Sequence, residues 1–153
     1  EYQIWAGCGS LGHGLPIAVG LAWGYKLKRN TGRIWCLLGD GECQEGTTWE
    51  AVQFAVHHKL DNLTIIIDDN KLQAMDFTDN VIGGNLAEKF HGFGLSPWTI
   101  NGHNFKELNF ALKFHPIWQP HLVIAETIKG YGLPFMENIP KWHFRVPTPD
   151  ELS

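Results

Sequence analysis

Ile34-Trp35-Cys36-Leu37-Leu38-Gly39-Asp40-Gly41-Glu42 is an apolar run that stops abruptly on glycine and acid. Thirty residues after Asp40 a second such run, Leu63-Thr64-Ile65-Ile66-Ile67, closes on Asp68-Asp69-Asn70. Short, continuous apolar segments bounded by turn residues read as strands buried on both faces, the habit of a parallel sheet. Ligands of such sheets bind at the carboxyl ends of the strands, and both Asp40 and Asn70 fall there. One offers a charged oxygen and the other a neutral carbonyl oxygen, hard donors suited to magnesium or calcium rather than zinc. Gly39 and Gly41 let backbone approach a bulky anion. The pair therefore suggests a magnesium ion bridging to a diphosphate. The ordinary alternative is that Asp and Asn merely cap and turn the chain after each strand.

The sequence on either side fits the same sheet. Ser10-Leu11-Gly12-His13-Gly14-Leu15-Pro16 is a glycine-rich turn opening a helix, with Pro16 early enough to lose no needed hydrogen bond. Ile17, Gly20, Leu21 and Gly24 continue that helix at helical spacing, and Asn30-Thr31-Gly32 ends it. A second helix is expected from about Thr47 to His58, with short helices over Leu86–His91 and Phe105–Phe114. Trp98-Thr99-Ile100 and His121-Leu122-Val123-Ile124-Ala125 read as further strands. The stretch Asn80 to Gly84 reads as loop. Strand and helix alternate, which predicts an α/β fold: a mostly parallel sheet with helices on both faces. From Tyr131 onward, glycine, prolines and scattered aromatics predict an extended segment that wraps or covers something. The organisation expected is residues 1–130 as an α/β domain and 131–153 as an extended carboxyl-terminal segment.

Composition bounds the function. The chain has 153 residues, 44% of them apolar, enough for one domain with a real core. Seven Trp and nine Phe suit either a large aromatic core or a contact between subunits. A net charge of −4 opposes a general nucleic-acid role. The one compact basic run, Lys26-Leu27-Lys28-Arg29, sits at a helix end, where it complements the dipole and faces solvent. Cys8, Cys36 and Cys43 form no ligand-spaced pair, which fits a reducing, cytoplasmic compartment. No run of roughly 18 apolar residues occurs, so no membrane span is expected. The start, Glu1-Tyr2-Gln3-Ile4-Trp5, reads as an internal position of a longer chain.

The two strand ends, with Gly9-Ser10-Leu11-Gly12-His13-Gly14-Leu15-Pro16, resemble the thiamine diphosphate-dependent enzymes, and within them transketolase, especially the amino-terminal subunit of its two-chain form. The resemblance runs through Glu42-Cys43-Gln44-Glu45-Gly46, Trp49-Glu50-Ala51, His57 to Leu63, Asn101-Gly102-His103, Thr127-Ile128-Lys129-Gly130, Phe135-Met136-Glu137-Asn138 and Trp142-His143. It implies a pyrophosphate-binding domain whose cofactors are thiamine diphosphate and Mg2+. Asp40 and Asn70 would be side-chain magnesium ligands and Leu72 would give its backbone carbonyl. Gly41 would approach the diphosphate through its amide. Gly9 and Leu11 would line the cofactor, with His13 beside it. His143 would approach the diphosphate or the reacting end, and Glu45 would join an acidic network linking cofactor sites across a subunit interface. The implied reaction moves a two-carbon ketol unit from a ketose phosphate to an aldose phosphate.

The resemblance also implies what is missing: an upstream stretch carrying histidines, and the pyrimidine-binding domain whose glutamate activates the cofactor. The expected partner is therefore a pyrimidine-domain chain or the remainder of a longer chain, in a homo- or hetero-oligomer, with phosphorylated sugars as substrates. Phe144-Arg145 and Met75-Asp76-Phe77 depart from the family pattern. Decarboxylation of a 2-oxo acid, deoxyxylulose phosphate synthesis and a non-catalytic remnant stay open at this point. His57, His58, His91, His115 and His121 show no catalytic grouping, His103 suits a loop hydrogen bond, and Cys43 suits packing.

Overall fold

Leu38, Ile67 and Ile124 stand side by side across three parallel strands, and this row is the centre of the molecule. The computed structural model describes residues 7–152, so the start read as an internal position, Glu1–Trp5, lies outside the described residues. Four strands, β1 (Ile34–Gly39), β2 (Leu63–Asp69), β3 (Trp98–Asn101) and β4 (His121–Glu126), form one sheet in the order β1-β2-β4-β3, every neighbouring pair parallel. The helices are α1 (Gly14–Leu27), α2 (Gly46–His57), α3 (Thr78–Ile82), α4 (Leu86–Gly92) and α5 (Phe105–Lys113), with short 3-10 turns at Asp40–Gln44, Pro140–His143 and Pro149–Glu151.

The first face of the sheet is sealed. α1 buries Leu15, Ala18, Val19 and Ala22, the i, i+3, i+4, i+7 stripe, in one core with Ile34, Cys36 and Leu38 of β1 and Leu63, Ile65 and Ile67 of β2. α2 adds Ala51, Val52 and Ala55. Fully burying each of the larger aliphatic side chains is worth roughly 1.5–3 kcal/mol. α4 and the residue after it seat Phe90 and Phe93 on Trp49 of α2, with centroids 4.8 and 5.0 Å apart. Asn85 caps α4 by accepting from the Glu88 amide.

The second face is covered on one side only. Over β3 and β4, α5 and its C-cap press Phe110 and Phe114 against Trp98, at 5.9 and 4.4 Å, and the Ala111 carbonyl lies 2.8 Å from His121 Nε2. Over β1, Trp35 is 44% and Leu37 70% exposed. No helix among the described residues is long and apolar enough to cross a membrane.

Three expectations change. Thr78–Ile82 is a helix, overlapping the stretch Asn80 to Gly84 read as loop. The turn before it, closed by an antiparallel bridge between Leu72 and Phe77, starts the helix by bonding the Thr78 amide to the Lys71 carbonyl, 2.9 Å. Gln44 Nε2 then reaches the Thr78 and Ile82 carbonyls, both 3.4 Å. Lys26 does not simply face solvent: its Nζ donates to Asp61 Oδ1, 2.9 Å, and to the Lys59 carbonyl. The segment after Gly130 coils through turns and two 3-10 helices instead of running extended. Trp142 anchors it, buried, with its indole N–H donating to the Phe135 carbonyl, 3.0 Å, and Lys141 and Arg145 stacked on its ring.

Candidate functional site

Because β1 and β2 run parallel with Gly39 opposite Asp68, Asp40 and Asn70 emerge at the same edge of the sheet. Asp40 begins the 3-10 turn that carries the chain into α2. It is 4% exposed. Its Oδ1 accepts from the Gly41 amide, 2.8 Å, while the buried Oδ2 has no hydrogen-bond partner among the described residues. The carboxyl pKa is pushed up to about 6. Burial is the main cause, the amides of Gly41 and Lys71 work against it, and the neighbouring Asp69 and Asp68 add to it. A buried carboxylate with an unused lone pair, facing two more acids, is an electrostatic deficit that a cation would relieve.

The β2 end is arranged differently. Asn70 is buried, its Oδ1 accepts from the Leu72 amide, 3.0 Å, and its Nδ2 donates to Asp68 Oδ2, 3.2 Å. Asp68 in turn takes the Thr127 hydroxyl on Oδ1. The carboxamide is thus fixed with its oxygen turned to the loop, where a second lone pair stays available. Leu72, two residues on, is buried as well. Among the described residues no three His, Cys, Asp or Glu side chains converge as a metal cage. A cation here would be held by one carboxylate, one carboxamide and a carbonyl, with a ligand's own oxygens completing the shell. The residues present fit that set.

The amino end of α1 is brought to the same edge by Glu42. Its Oε1 accepts from the Gly12 amide, 3.0 Å, and its Oε2 from the Gly39 amide, 3.2 Å. Thr47 Oγ1 donates to the Gly12 carbonyl, 2.8 Å. Gly12 has φ 77°, and a Cβ there would lie 2.6 Å from Glu45 Cβ, so the turn admits only glycine. Glu45 is half-buried against this turn at the start of α2. Gly9, Leu11 and His13 are exposed in the same loop, Leu11 at 58%. The His13 ring folds back, with Nδ1 3.1 Å from both Ser10 Oγ and the Leu11 carbonyl. Gly41 sits close to Gln73, where an added Cβ would meet Gln73 Cβ at 3.2 Å, and its amide is occupied by Asp40.

On the second face a cavity of about 410 Å³ opens beside Asn70, lined also by Leu37, Ile66, Asp68, His103 and Lys129. The His103 Nε2 accepts from the Ile128 amide, 2.8 Å, and its ring stacks on Tyr131, so the expected loop role is met. Lys129 brings the cavity positive charge. That charge reaches His143, an exposed residue of the carboxyl-terminal segment whose pKa is lowered by partial desolvation and by Lys129. Cys36 and Cys43 are buried, their thiols pushed up to about 12 chiefly by burial, which fits packing and not nucleophilic chemistry. Sequence reading gave Glu42, Asp68 and Lys129 no role. Glu42 was the most findable, lying inside the Gly-Asp-Gly-Glu segment.

The chain has known relatives. Residues 3–147 match the family described as the transketolase, thiamine diphosphate binding domain. One of the subunits of apulose-4-phosphate transketolase, from Actinobacillus succinogenes, is 44% identical over 147 residues, which is 95% of this chain and 53% of that polypeptide. Human transketolase is 38% identical, over 95% of this chain and 23% of its own length. Transketolase from Campylobacter jejuni superposes with a TM-score of 0.81 at 34% identity, covering 87% of this chain and 22% of that one. The chain thus spans about half the length of the apulose-4-phosphate transketolase subunits and about a quarter of the longer transketolases it matches.

Proposed function

The chain belongs to the transketolase family of thiamine diphosphate-binding domains, and from that premise we propose that it supplies the magnesium and diphosphate half of a transketolase site. One observation carries the reading: the buried, unused Asp40 Oδ2 at the same sheet edge as Asn70. Asp40 and Asn70 bind Mg2+ through side-chain oxygens and Leu72 through its carbonyl. The Gly41 backbone and the Gly9–Leu11 loop approach the diphosphate, His13 lies beside the cofactor, and Lys129 contributes charge. His143 hydrogen-bonds at the diphosphate or the reacting end.

Held by these residues, thiamine diphosphate would supply the nucleophilic carbon for moving a two-carbon ketol unit from a ketose phosphate to an aldose phosphate. This chain's residues bind and orient that group. The carboxylate that activates the aminopyrimidine, and the walls that exclude water, come from a pyrimidine-domain partner, either a separate polypeptide or the rest of a longer chain. Relatives named as one subunit of a transketolase are consistent with the first arrangement. Glu45, half-buried beside Gly12, belongs to the acidic network at that assembly.

The test is to assemble the chain with candidate pyrimidine-domain chains and follow two-carbon transfer between sugar phosphates, apulose 4-phosphate among the donors. Calorimetry with and without magnesium reports cofactor binding on the same complex. Transfer that requires magnesium is the expected result. Carbon dioxide release from a 2-oxo acid without such transfer selects a decarboxylase instead. A stable monomer that recruits no partner and binds no cofactor overturns the proposal in favour of a non-catalytic remnant.

A further inference from the structure

Lys71 stands between Asn70 and Leu72 with φ 63°, in the left-handed region that a long side chain rarely occupies. Three bonds hold it there. Its Nζ is 2.5 Å from Asp69 Oδ2, on a carboxylate that is itself almost wholly buried. Its carbonyl accepts from the Thr78 amide, 2.9 Å, closing the turn bridged by Leu72 and Phe77. On its other side the Leu72 amide is tied to Asn70 Oδ1, 3.0 Å. In an extended chain, successive groups point to opposite sides of a strand. A single left-handed residue breaks that alternation. It turns the chain between Asn70 and Leu72, so that the Leu72 amide closes on the Asn70 carboxamide oxygen.

We infer that the Asp69–Lys71 ion pair is a positioning device for the metal-binding loop: it holds residue 71 left-handed so that the donors on either side converge. This rests on the reading of Asn70 and Leu72 as magnesium donors. The ammonium of Lys71 is engaged by Asp69 within the loop. Its role is therefore conformational, and glycine, which takes positive φ without steric cost, should replace it.

The experiment uses the chain assembled with its pyrimidine-domain partner, with thiamine diphosphate and Mg2+ as probes. Lys71→Ala, Lys71→Gly and Asp69→Asn are compared by calorimetry across a magnesium titration. Melting temperatures are recorded without cofactor. For Lys71→Ala and Asp69→Asn the magnesium concentration giving half-maximal cofactor binding should rise about tenfold. For Lys71→Gly it should stay within about twofold of the parent. An unshifted magnesium requirement in Lys71→Ala overturns the inference. So does a Lys71→Gly variant as weak as Lys71→Ala, because the lysine charge itself would then be what matters. Asp40→Ala is the control for the underlying reading: if it binds magnesium and cofactor undiminished, the metal site itself is misplaced, whatever Lys71 does.

Discussion

The turn after β1 and the loop after β2 end neighbouring parallel strands at the same edge, yet they are built on opposite principles. Asp40 is charged, buried and half-satisfied: one oxygen takes the Gly41 amide and the other takes nothing among the described residues. Asn70 is neutral, and both ends of its carboxamide are engaged, by Leu72 and by Asp68. The first end stores an unfavourable charge, and the second stores geometry. A site for a divalent cation gains from both, because attraction comes from the uncompensated carboxylate and direction from the preset carboxamide.

Replacing Asp40 by Asn breaks the comparison most severely, since it makes the two ends chemically alike. Magnesium-dependent binding of thiamine diphosphate should fall by on the order of 100-fold or more, beyond what a supporting residue costs. Stability without cofactor should move the other way. The Asp40 pKa is raised from 3.8 to about 6, so the folded chain holds this proton more tightly than the unfolded chain does. Stability conferred by the protonated form is present at low pH and is lost as pH rises through about 4 to about 6. A shift of roughly two units corresponds to a destabilisation on the order of 1–3 kcal/mol above that window. In Asp40→Asn the slope between about pH 4 and about pH 6 should flatten, and the melting temperature at about pH 7.5 should rise. A variant that both melts earlier and keeps its magnesium requirement would remove the contrast.

Glu42 is the next lever, because it joins the β1 end to α1. One of its oxygens accepts from the Gly12 amide in the loop before α1, the other from the Gly39 amide at the end of β1. Glu42→Gln keeps the shape and turns one acceptor into a donor facing an amide N–H. The loss should be on the order of 1–3 kcal/mol of stability, read by urea titration. Hydrogen exchange should speed up at the Gly12 and Gly39 amides first. Unchanged protection of both would mean that the Gly12 turn is held by Thr47 alone.

How far the sequence could reveal this depends on distance along the chain. The strands were legible because burial on both faces writes itself as unbroken apolar runs in β2 and β4, Ile65-Ile66-Ile67 most clearly, while β1 carries an equally apolar run although its second face, Trp35 and Leu37, is exposed; the shared edge follows from their parallel pairing. Asp40 and Asn70 were legible as strand-end oxygens. What could not be read were partnerships made through space: Glu42 with Gly12, and Asp68 with Thr127 fifty-nine positions away. Lys71 was hidden for another reason, since lysine carries no propensity for positive φ and its conformation is imposed by Asp69 and Thr78. The helix at Thr78–Ile82 is too short to show a period, and it is fixed by Gln44 from another element.

Asp68 gives the smallest and sharpest test, because it bears on the β2 end alone. Its Oδ2 holds Asn70 Nδ2 and its Oδ1 takes the Thr127 hydroxyl, so the carboxylate decides which way the carboxamide points. Asp68→Asn can keep the Thr127 contact through its carbonyl, but its amide group would then face the Asn70 amide, donor against donor. Turning its own carboxamide over restores the Asn70 bond only by presenting N–H to Thr127. The threonine hydroxyl can rotate and accept instead, so the fold should survive. What is lost is the charge on the acceptor that holds Asn70 Nδ2, so the carboxamide is held less firmly, at a cost of about tenfold in magnesium affinity, the size expected for an outer-shell partner. Asp68 also raises the Asp40 pKa, so its neutralisation should leave less proton for magnesium to displace at low pH, although it also removes a negative charge that attracts the cation. Magnesium titrations at about pH 6 and about pH 8 separate the two effects. Orientation weakens binding at both values, whereas relief of Asp40 shows mainly at the lower one. If Asp68→Asn binds magnesium as tightly as the parent at both, the Asp68 carboxylate does not set the Asn70 donor, and the division of labour between the two strand ends does not hold.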